Sequence, residues 1–333
     1  MAVVLGDDTD NNLVGTPQGD DIRGFGGNDT ISGLAGSDLI YGNQGNDTID
    51  AGDGNDTVYG GQGDDTIFDG LGNNVIYGNF GNDFIVAGGA GNSTVYGGQG
   101  NDQDYGGAGN DVIYGNLGDD TIFGREGNDT IYGGQGNDVV RGDSIFGAGN
   151  DIVYGNFGND TLNGGTGDNT VYGGQGNDLI FEDGGSTNSD HLFGNLGADT
   201  FDFANGSQPP SGQFQATADH ISDFSDAQGD RVDLATPPGG IVYAEVQGDS
   251  TVVSVETAMF FARTHDPAGA VVPTPGLFGS AGGFANVVFV AGQSDGYLLF
   301  DHDNSGDFGS AGDFAIVLDH LNSTTLFGPQ DVI

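Results

Sequence analysis

The 333-residue chain carries 67 glycines, 49 acidic residues and five basic ones, all arginine, for a formal net charge of −44. That charge excludes a nucleic-acid binder, because nothing could neutralise the phosphates, and it disfavours an anionic membrane surface. The absence of lysine and cysteine removes Schiff-base, P-loop, thiol and thiolate-zinc chemistry, and so acidic a chain stays unfolded unless a cation joins it.

Residues 1–14 read as an N-terminal extension or cap. The opening Met1-Ala2-Val3-Val4-Leu5-Gly6-Asp7-Asp8 lacks the basic region of a secretory signal peptide, and no apolar run reaches membrane-spanning length. From residue 15 to 203 the chain is a repeat. Segments Gly24–Ser32, Gly33–Tyr41, Gly42–Asp50, Ala51–Tyr59 and Gly60–Phe68 share a nine-residue period, G-G-x-G-x-D-x-U-x with U aliphatic. Its aspartates are Asp29, Asp38, Asp47, Asp56, Asp65, Asp83, Asp102, Asp111, Asp120, Asp129, Asp138, Asp151, Asp160, Asp178, Asp190 and Asp199. Asn74, Ser93 and Asn169 occupy three further equivalent positions, and Gly15–Arg23 is an irregular first copy.

This pattern resembles the RTX (hemolysin-type) calcium-binding nonapeptide-repeat family. The resemblance implies an all-β fold, a parallel β-roll with two nonapeptides per coil. The three residues after each aspartate would form a strand, and G-G-x-G-x-D a turn holding Ca²⁺ between coils. The residue types suit that role independently. Calcium takes six to eight hard oxygens, which carboxylates and main-chain carbonyls supply, and glycine lets successive carbonyls turn inward. At one ion per aspartate position, on the order of fifteen ions would bind.

The strand interior requires one buried aliphatic per repeat: Ile31, Ile40, Ile49, Val58, Ile67, Ile76, Ile85, Val95, Ile113, Ile122, Ile131, Val140, Val153, Leu162, Val171 and Ile180. Asp104 interrupts this ladder, so the copy Gly97–Tyr105 is expected to be frayed or rearranged. A core this thin cannot stand alone, and metal must contribute to folding.

Turns beginning at 42, 60, 78, 97, 115, 133, 155, 173 and 194 alternate G-N-x-G with G-G-Q-G, which places them on one edge of a roll. Every calcium position on that edge is aspartate, whereas Asn74, Ser93 and Asn169 fall on the other. The weaker edge is either drift in a redundant array or deliberate tuning.

Strands entering the intact edge end in Tyr41, Tyr59, Tyr77, Tyr96, Tyr114, Tyr132, Tyr154 and Tyr172, then Phe193. Two residues earlier, aliphatics (Val75, Val112 and Ile152 among them) alternate with threonine. Both columns should face outward, opposite the buried aliphatic. Turn tips on this edge include Phe80, Leu117 and Phe157. These residues are a candidate self-assembly interface, the alternative being that stacked tyrosines serve the sheet within one chain.

Composition changes near residue 204: fifty glycines precede it, and eight of nine prolines follow Gln208. Residues 204–218 read as a linker and 219–333 as a β-rich C-terminal cap and secretion-signal region, with strands at Ile241–Val246, Thr251–Val255, Asn286–Val290, Tyr297–Phe300 and Phe314–Leu318. Residues 219–234 resemble the segment that follows the roll in RTX proteases. The terminal Gln330-Asp331-Val332-Ile333 is similar to the uncleaved signal of type I secretion substrates, and would explain the missing leader. Asp301–Gly306 begins like an EF-hand loop but has Gly312 where the bidentate glutamate belongs, so a polar turn is favoured.

No H-E-x-x-H or G-x-S-x-G motif appears, and the five histidines are scattered, so no catalytic site is expected. The resemblance extends to self-assembling RTX surface-layer and matrix proteins. The expected protein is extracellular or cell-surface, exported by type I machinery without an N-terminal signal, folding on calcium and assembling with itself into a layer, filament or matrix. It would have no nucleic-acid partner and no membrane span. The alternative is a soluble secreted signalling or ion-conducting monomer of the kind some rhizobia export during nodulation.

Overall fold

A computed structural model describes residues 1–143, 147, 149–181 and 190–202, together with the backbone of strands Asp219–Ile221, Arg231–Asp233, Asn286–Ala291, Asp295–Asp301 and Phe314–Asp319. Every regular element among the described residues is a β-strand. The chain divides into two compact units, Met1–Thr166 and Gly167–Ile333.

The first unit is a parallel β-roll. One sheet takes strands Val3–Leu5, Asp21–Gly26, Leu39–Gln44, Thr57–Gln62 and onward to Ile152–Phe157. The other takes Asn12–Val14, Thr30–Ser32, Thr48–Asp50, Thr66–Phe68 and onward to Thr161–Asn163. The chain alternates between sheets, so each strand pairs with one a full coil away: Ile40 faces Val58, and Ile31 faces Ile49. Two nonapeptides therefore make one coil. Segment 1–14 joins this scheme, since Val4 pairs with Ile22 and Leu13 with Ile31.

The two sheets are not equivalent. Mostly three-residue strands form on one side, as the period implies, with five residues at Thr121–Arg125 and Val139–Asp143, while the other side carries mostly six-residue strands. On the longer side pairing resumes at the second position of the repeat, with Asn43 opposite Gly61 and Gln44 opposite Gln62. On the short side, outside those two five-residue strands, it resumes as isolated bridges at the third, Ala35 with Asp53 and Asp53 with Leu71. The second position adopts positive φ on both sides, at Asn43 (79°), Gly61 (123°) and Asn79 (78°) and at Leu34 (78°), Gly52 (95°) and Gly70 (87°). Asparagine tolerates that conformation, and its side-chain amide donates to the carbonyl two residues back, Asn43 to Tyr41 and Asn79 to Tyr77, each at 3.3 Å. At Gly61 a side chain would run into the Asn43 backbone, so glycine is obligatory there.

The core is the predicted ladder of aliphatics. All sixteen are at most 1% exposed, and Ile22, Leu192 and Phe201 join them. Asp104 does not fray its copy. Strand Gln103–Tyr105 holds register between Phe84–Val86 and Thr121–Phe123, with Asp104 directly between Ile85 and Ile122. Backbone pairing on both flanks keeps the coil in line and carries the carboxyl into the core, where it is fully buried and neither oxygen has a hydrogen-bond partner. Burial, with the charges of Asp102, Asp120 and Asp83, holds this acid well above the usual carboxylate range.

In the second unit, strand Thr170–Gln175 pairs parallel with His191–Leu196, and Leu179–Phe181 with Thr200–Asp202. Asp219–Ile221 and Arg231–Asp233 continue these two sheets. Phe314–Asp319 pairs parallel with Asp219–Ile221, and the hairpin Asn286–Ala291 with Asp295–Asp301 adds antiparallel strands beyond it. The three later strands expected in this region are thus formed, while those at 241–246 and 251–255, the 204–218 linker and the 330–333 tail lie outside the described residues.

Two substitutions test this core. Replacing Ile76 by Ala should destabilise the calcium-loaded fold by about 2–5 kcal/mol in chemical denaturation. Asp104→Ile should do the reverse, raising stability by about 1–3 kcal/mol, because a buried unpartnered polar group is removed; a loss of stability would show that the carboxyl is needed.

Candidate metal centre

The sixteen repeat aspartates are all buried, none more than 3% exposed, and so are Asn74, Ser93 and Asn169. Burial follows from the turn: positive φ at the fourth position, as at Gly45 and Gly63, folds the aspartate back under the preceding strand end. What each carboxylate meets is the same from coil to coil. Its Oδ1 accepts the backbone N–H of the aspartate one coil earlier: Asp29 donates to Asp47 at 2.7 Å, Asp47 to Asp65 and Asp65 to Asp83 at 2.8 Å, Asp102 to Asp120 at 2.9 Å. The other edge repeats this, Asp20 to Asp38 and Asp38 to Asp56 at 2.7 Å. In the second unit Asn169 donates to Asp190 and Asp178 to Asp199.

The second oxygen is different. At Asp29, Asp38, Asp47, Asp56, Asp65, Asp83, Asp102, Asp120, Asp129 and Asp138, Oδ2 is buried and accepts no hydrogen bond. At eight of these, all but Asp38 and Asp56, it lies against the glycine that opens the same repeat, close to the carbonyl oxygen of the equivalent glycine one coil on; at Asp38 that carbonyl belongs to Ala51. A Cβ built on Gly42 would fall 2.6 Å from the Gly60 carbonyl oxygen and closer still to Asp47 Oδ2. One on Gly60 would meet Asp65 Oδ2 and, at 3.0 Å, the Gly78 carbonyl. Two acceptors converge with no donor between them, and a buried acceptor left so is costly unless a cation serves it.

These residues fit calcium. The donors are hard oxygens, the side-chain share is one carboxylate per repeat, and glycine carbonyls supply the rest. Among the described residues no three histidine, aspartate or glutamate side chains gather at one point, as expected of a site that draws much of its oxygen from the main chain. The bound ion would neutralise the facing carboxylates and tie neighbouring coils together; the protein holds them in place beforehand through the Oδ1 ladder.

Burial raises these acids, with neighbouring aspartates adding and the backbone N–H opposing. Asp47, Asp56 and Asp83 are pushed up to about 6, Asp102, Asp120, Asp129 and Asp138 to about 7, and Asp65 to about 8. Asp20 goes the other way. The Ala2 N–H bound to its Oδ1 lowers it, and Thr16 donates to its Oδ2 from both N–H and hydroxyl, so protein groups close this position. Asp111 is also partly closed, its Oδ2 accepting the Gly107 N–H at 2.8 Å.

Three features escaped the sequence reading. Asn11 and Asp20 occupy aspartate positions in the first two copies, each donating to the carboxylate one coil on; their spacing from Asp29 and Asp38 is the signal. The variable residue before each aspartate is usually asparagine or aspartate, and it forms a second ladder of opposite sense. Asn46 N–H donates to Asn28, Asp64 to Asn46 and Asn82 to Asp64. Asp69 is the third. It stands where the opening glycine belongs, is 1% exposed, and is pushed up to about 7 by burial and the charges of Asp56 and Asp111, against the opposing hydrogen bonds of the Asn74 and Ser93 side chains.

The tyrosine column runs along the outer face of the longer strands. From Tyr41 through Tyr59, Tyr77, Tyr96, Tyr114 and Tyr132 to Tyr154, adjacent rings stack 4.8–4.9 Å apart and within 6° of parallel. Stacking leaves the rings half-buried. Val75 and Val112 beside them are half-buried too, while Ile152, Phe80, Leu117 and Phe157 are exposed. Tyr172 stacks on Phe193 in the second unit.

The model of the RTX calcium-binding nonapeptide repeat (4 copies) matches residues 5–40, 23–58, 32–67, 59–89, 85–113, 105–140, 147–180 and 185–207. No curated protein matches the chain. Among the solved structures that do is a subunit from the Azotobacter vinelandii mannuronan C5-epimerase, in solution. It is 21% identical, with a TM-score of 0.32, over 63% of this chain and 80% of that one.

The raised acids set a pH dependence. An aspartate held near 6–8 in the fold but near 3.8 when unfolded binds its proton more tightly in the fold. Its contribution is therefore present in acid and lost as pH rises through 6–8. In excess chelator, far-UV circular dichroism should show β structure appearing as pH falls from about 8 to about 5, and calcium addition at neutral pH should restore the same spectrum with proton release. A chelated chain equally unfolded across that range would contradict the assignment of these carboxylates as the neutralised groups.

Proposed function

Since the chain belongs to the RTX calcium-binding nonapeptide-repeat family, whose repeats bind calcium, we propose that it is a secreted structural protein that folds on calcium outside the cell and then assembles with copies of itself. RTX repeats are typical of secreted proteins, which supports the export reading. Calcium-poor cytoplasm would leave so acidic a chain unfolded for transport, and calcium-rich medium would complete it. Among the described residues no helix is long and apolar enough to cross a membrane.

The observation that carries the assembly reading is the edge column of turn tips. Gln44, Gln62, Phe80, Gln99, Leu117, Gln135 and Phe157 stand in register down the roll. The apolar ones remain exposed, Phe80 and Phe157 at 51% and Leu117 at 40%. Their spacing is two coils, about 10 Å from the strand separation, so they form a regular row of knobs with glutamine between. The half-buried tyrosine and aliphatic columns on the adjacent face widen this surface. A repeated apolar row of this kind suits a second repetitive surface better than a single globular partner. The periodic ladder accounts for the paired carboxylates as metal ligands, which supports a non-catalytic reading.

Calcium titration followed by circular dichroism and electron microscopy tests this. Ordered polymers should appear only once calcium has folded the chain. A folded species that stays monomeric at high concentration would sink the assembly reading and favour the soluble-monomer alternative, which the intramolecular tyrosine stacking also suits. Replacing Tyr77, Tyr114 and Val112 by Ser should abolish polymers while calcium-induced folding persists.

A further inference from the structure

The weaker edge holds two consecutive departures from the repeat. Between Asp56 and Asp111 the aspartate positions are filled by Asn74 and Ser93, neutral side chains that keep only the hydrogen-bond ladder. Asp56 donates to Asn74 Oδ1 at 2.7 Å, Asn74 to Ser93 Oγ at 3.3 Å, and Ser93 to Asp111 Oδ1 at 2.7 Å. The ladder survives, but two carboxylates are gone from a stretch where each neighbour has one.

The same stretch has gained one. Residues 69–74 read D-G-L-G-N-N where the repeat demands G-G-x-G-x-D. Asp69 keeps the backbone register of an opening position, its N–H donating to the Val86 carbonyl just as Ala51 donates to Phe68 and Ala87 to Tyr105. Elsewhere a side chain at that position has almost no space, because the aspartate five residues later fills it. A Cβ on Gly60, Gly78 or Gly115 would collide with Oδ2 of Asp65, Asp83 or Asp120. Ala51 is nevertheless buried together with Asp56, so a side chain at the opening position can coexist with the sixth-position carboxylate.

At 69–74 the carboxylate stands at the first position, while Asn74, the same size as aspartate, keeps the sixth and its ladder bond. The Asp69 side chain is buried to 1% exposure and its Oδ2 accepts the Ser93 hydroxyl at 3.3 Å. Its Oδ1 is buried and makes no hydrogen bond of good geometry, although the Asn74 side-chain amide lies close enough to favour the charged carboxylate. Asp56 and Asp111, on either side of the gap, are close enough for their charges to be felt at Asp69.

We infer that Asp69 is a calcium ligand, supplying from the first position of its repeat the carboxylate that Asn74 and Ser93 no longer supply from the sixth. The site between these coils thus remains a divalent-cation site with hard-oxygen donors, entered from the opposite end of the turn. The inference rests on the calcium reading of the repeats, and predicts that this edge is rebuilt at 69–93 rather than empty there.

The test counts bound calcium by native mass spectrometry on the full chain, with circular dichroism to confirm the fold. Asp69→Asn, which keeps size and hydrogen bonding, should bind one ion fewer and need more calcium to reach half-folding. The double variant Asp69→Gly with Asn74→Asp, which returns the motif to its regular form, should recover the lost ion. Asp65→Asn on the intact edge serves as the reference and should also lose an ion. If Asp65→Asn loses one and Asp69→Asn does not, the inference is overturned while the family reading stands; if neither loses one, the calcium reading of the aspartates fails first. Loss in Asp69→Asn without recovery in the double variant would make Asp69 a structural residue and overturn the inference as well.

Discussion

The whole roll depends on one buried carboxylate repeated along it. Each repeat aspartate gives one oxygen to the backbone of the coil before it; at ten of them the other accepts no hydrogen bond, and at eight of those ten it faces a glycine carbonyl from the coil after it. The first interaction sets spacing and register and is complete within the protein. The second is incomplete, two acceptors without a donor, and it makes folding conditional on a cation or, in acid, on a proton. The composition follows from this. A chain that must bury an acid every nine residues is acidic, and one that must leave room around each acid is rich in glycine.

That constraint propagates outward unevenly. Glycine at the opening position clears the volume for the aspartate, and asparagine or glycine at the second position takes positive φ. On the longer side pairing continues through the turn and strands reach six residues whether that position is asparagine, anchored by its amide on the preceding carbonyl, or glycine. The longer sheet then stacks its tyrosines at coil spacing and carries a regular row of tips into solvent. One edge is thereby built for uniformity, and the other tolerates change.

Departures from the repeat remain local because each coil meets only its neighbours. Asp104 sits in the aliphatic ladder yet its strand stays in register, since backbone pairing on both sides does not consult the side chain. Asn74 and Ser93 remove carboxylates yet preserve the ladder, since an amide or hydroxyl oxygen accepts the same N–H. A solenoid can accumulate such changes singly, and their cost is felt in metal affinity and local stability before it is felt in shape.

The sequence by itself determined the period, the sixteen repeat aspartates and the sixteen inward aliphatics, because a strict nine-residue repeat gives each side chain a fixed place; the parallel two-nonapeptide coil came from the family resemblance that this period carries. It also implied calcium, through the pairing of carboxylate with glycine. Only the tertiary structure decided what happens where the repeat is broken. That Asp104 is buried rather than frayed, that Asp20 is closed by Thr16 and Ala2, and that Asp69 is buried against Ser93 all depend on which atoms of adjacent coils approach one another. Those approaches lie eighteen or more residues apart in the chain, and a nine-residue motif, read one copy at a time, contains no record of them.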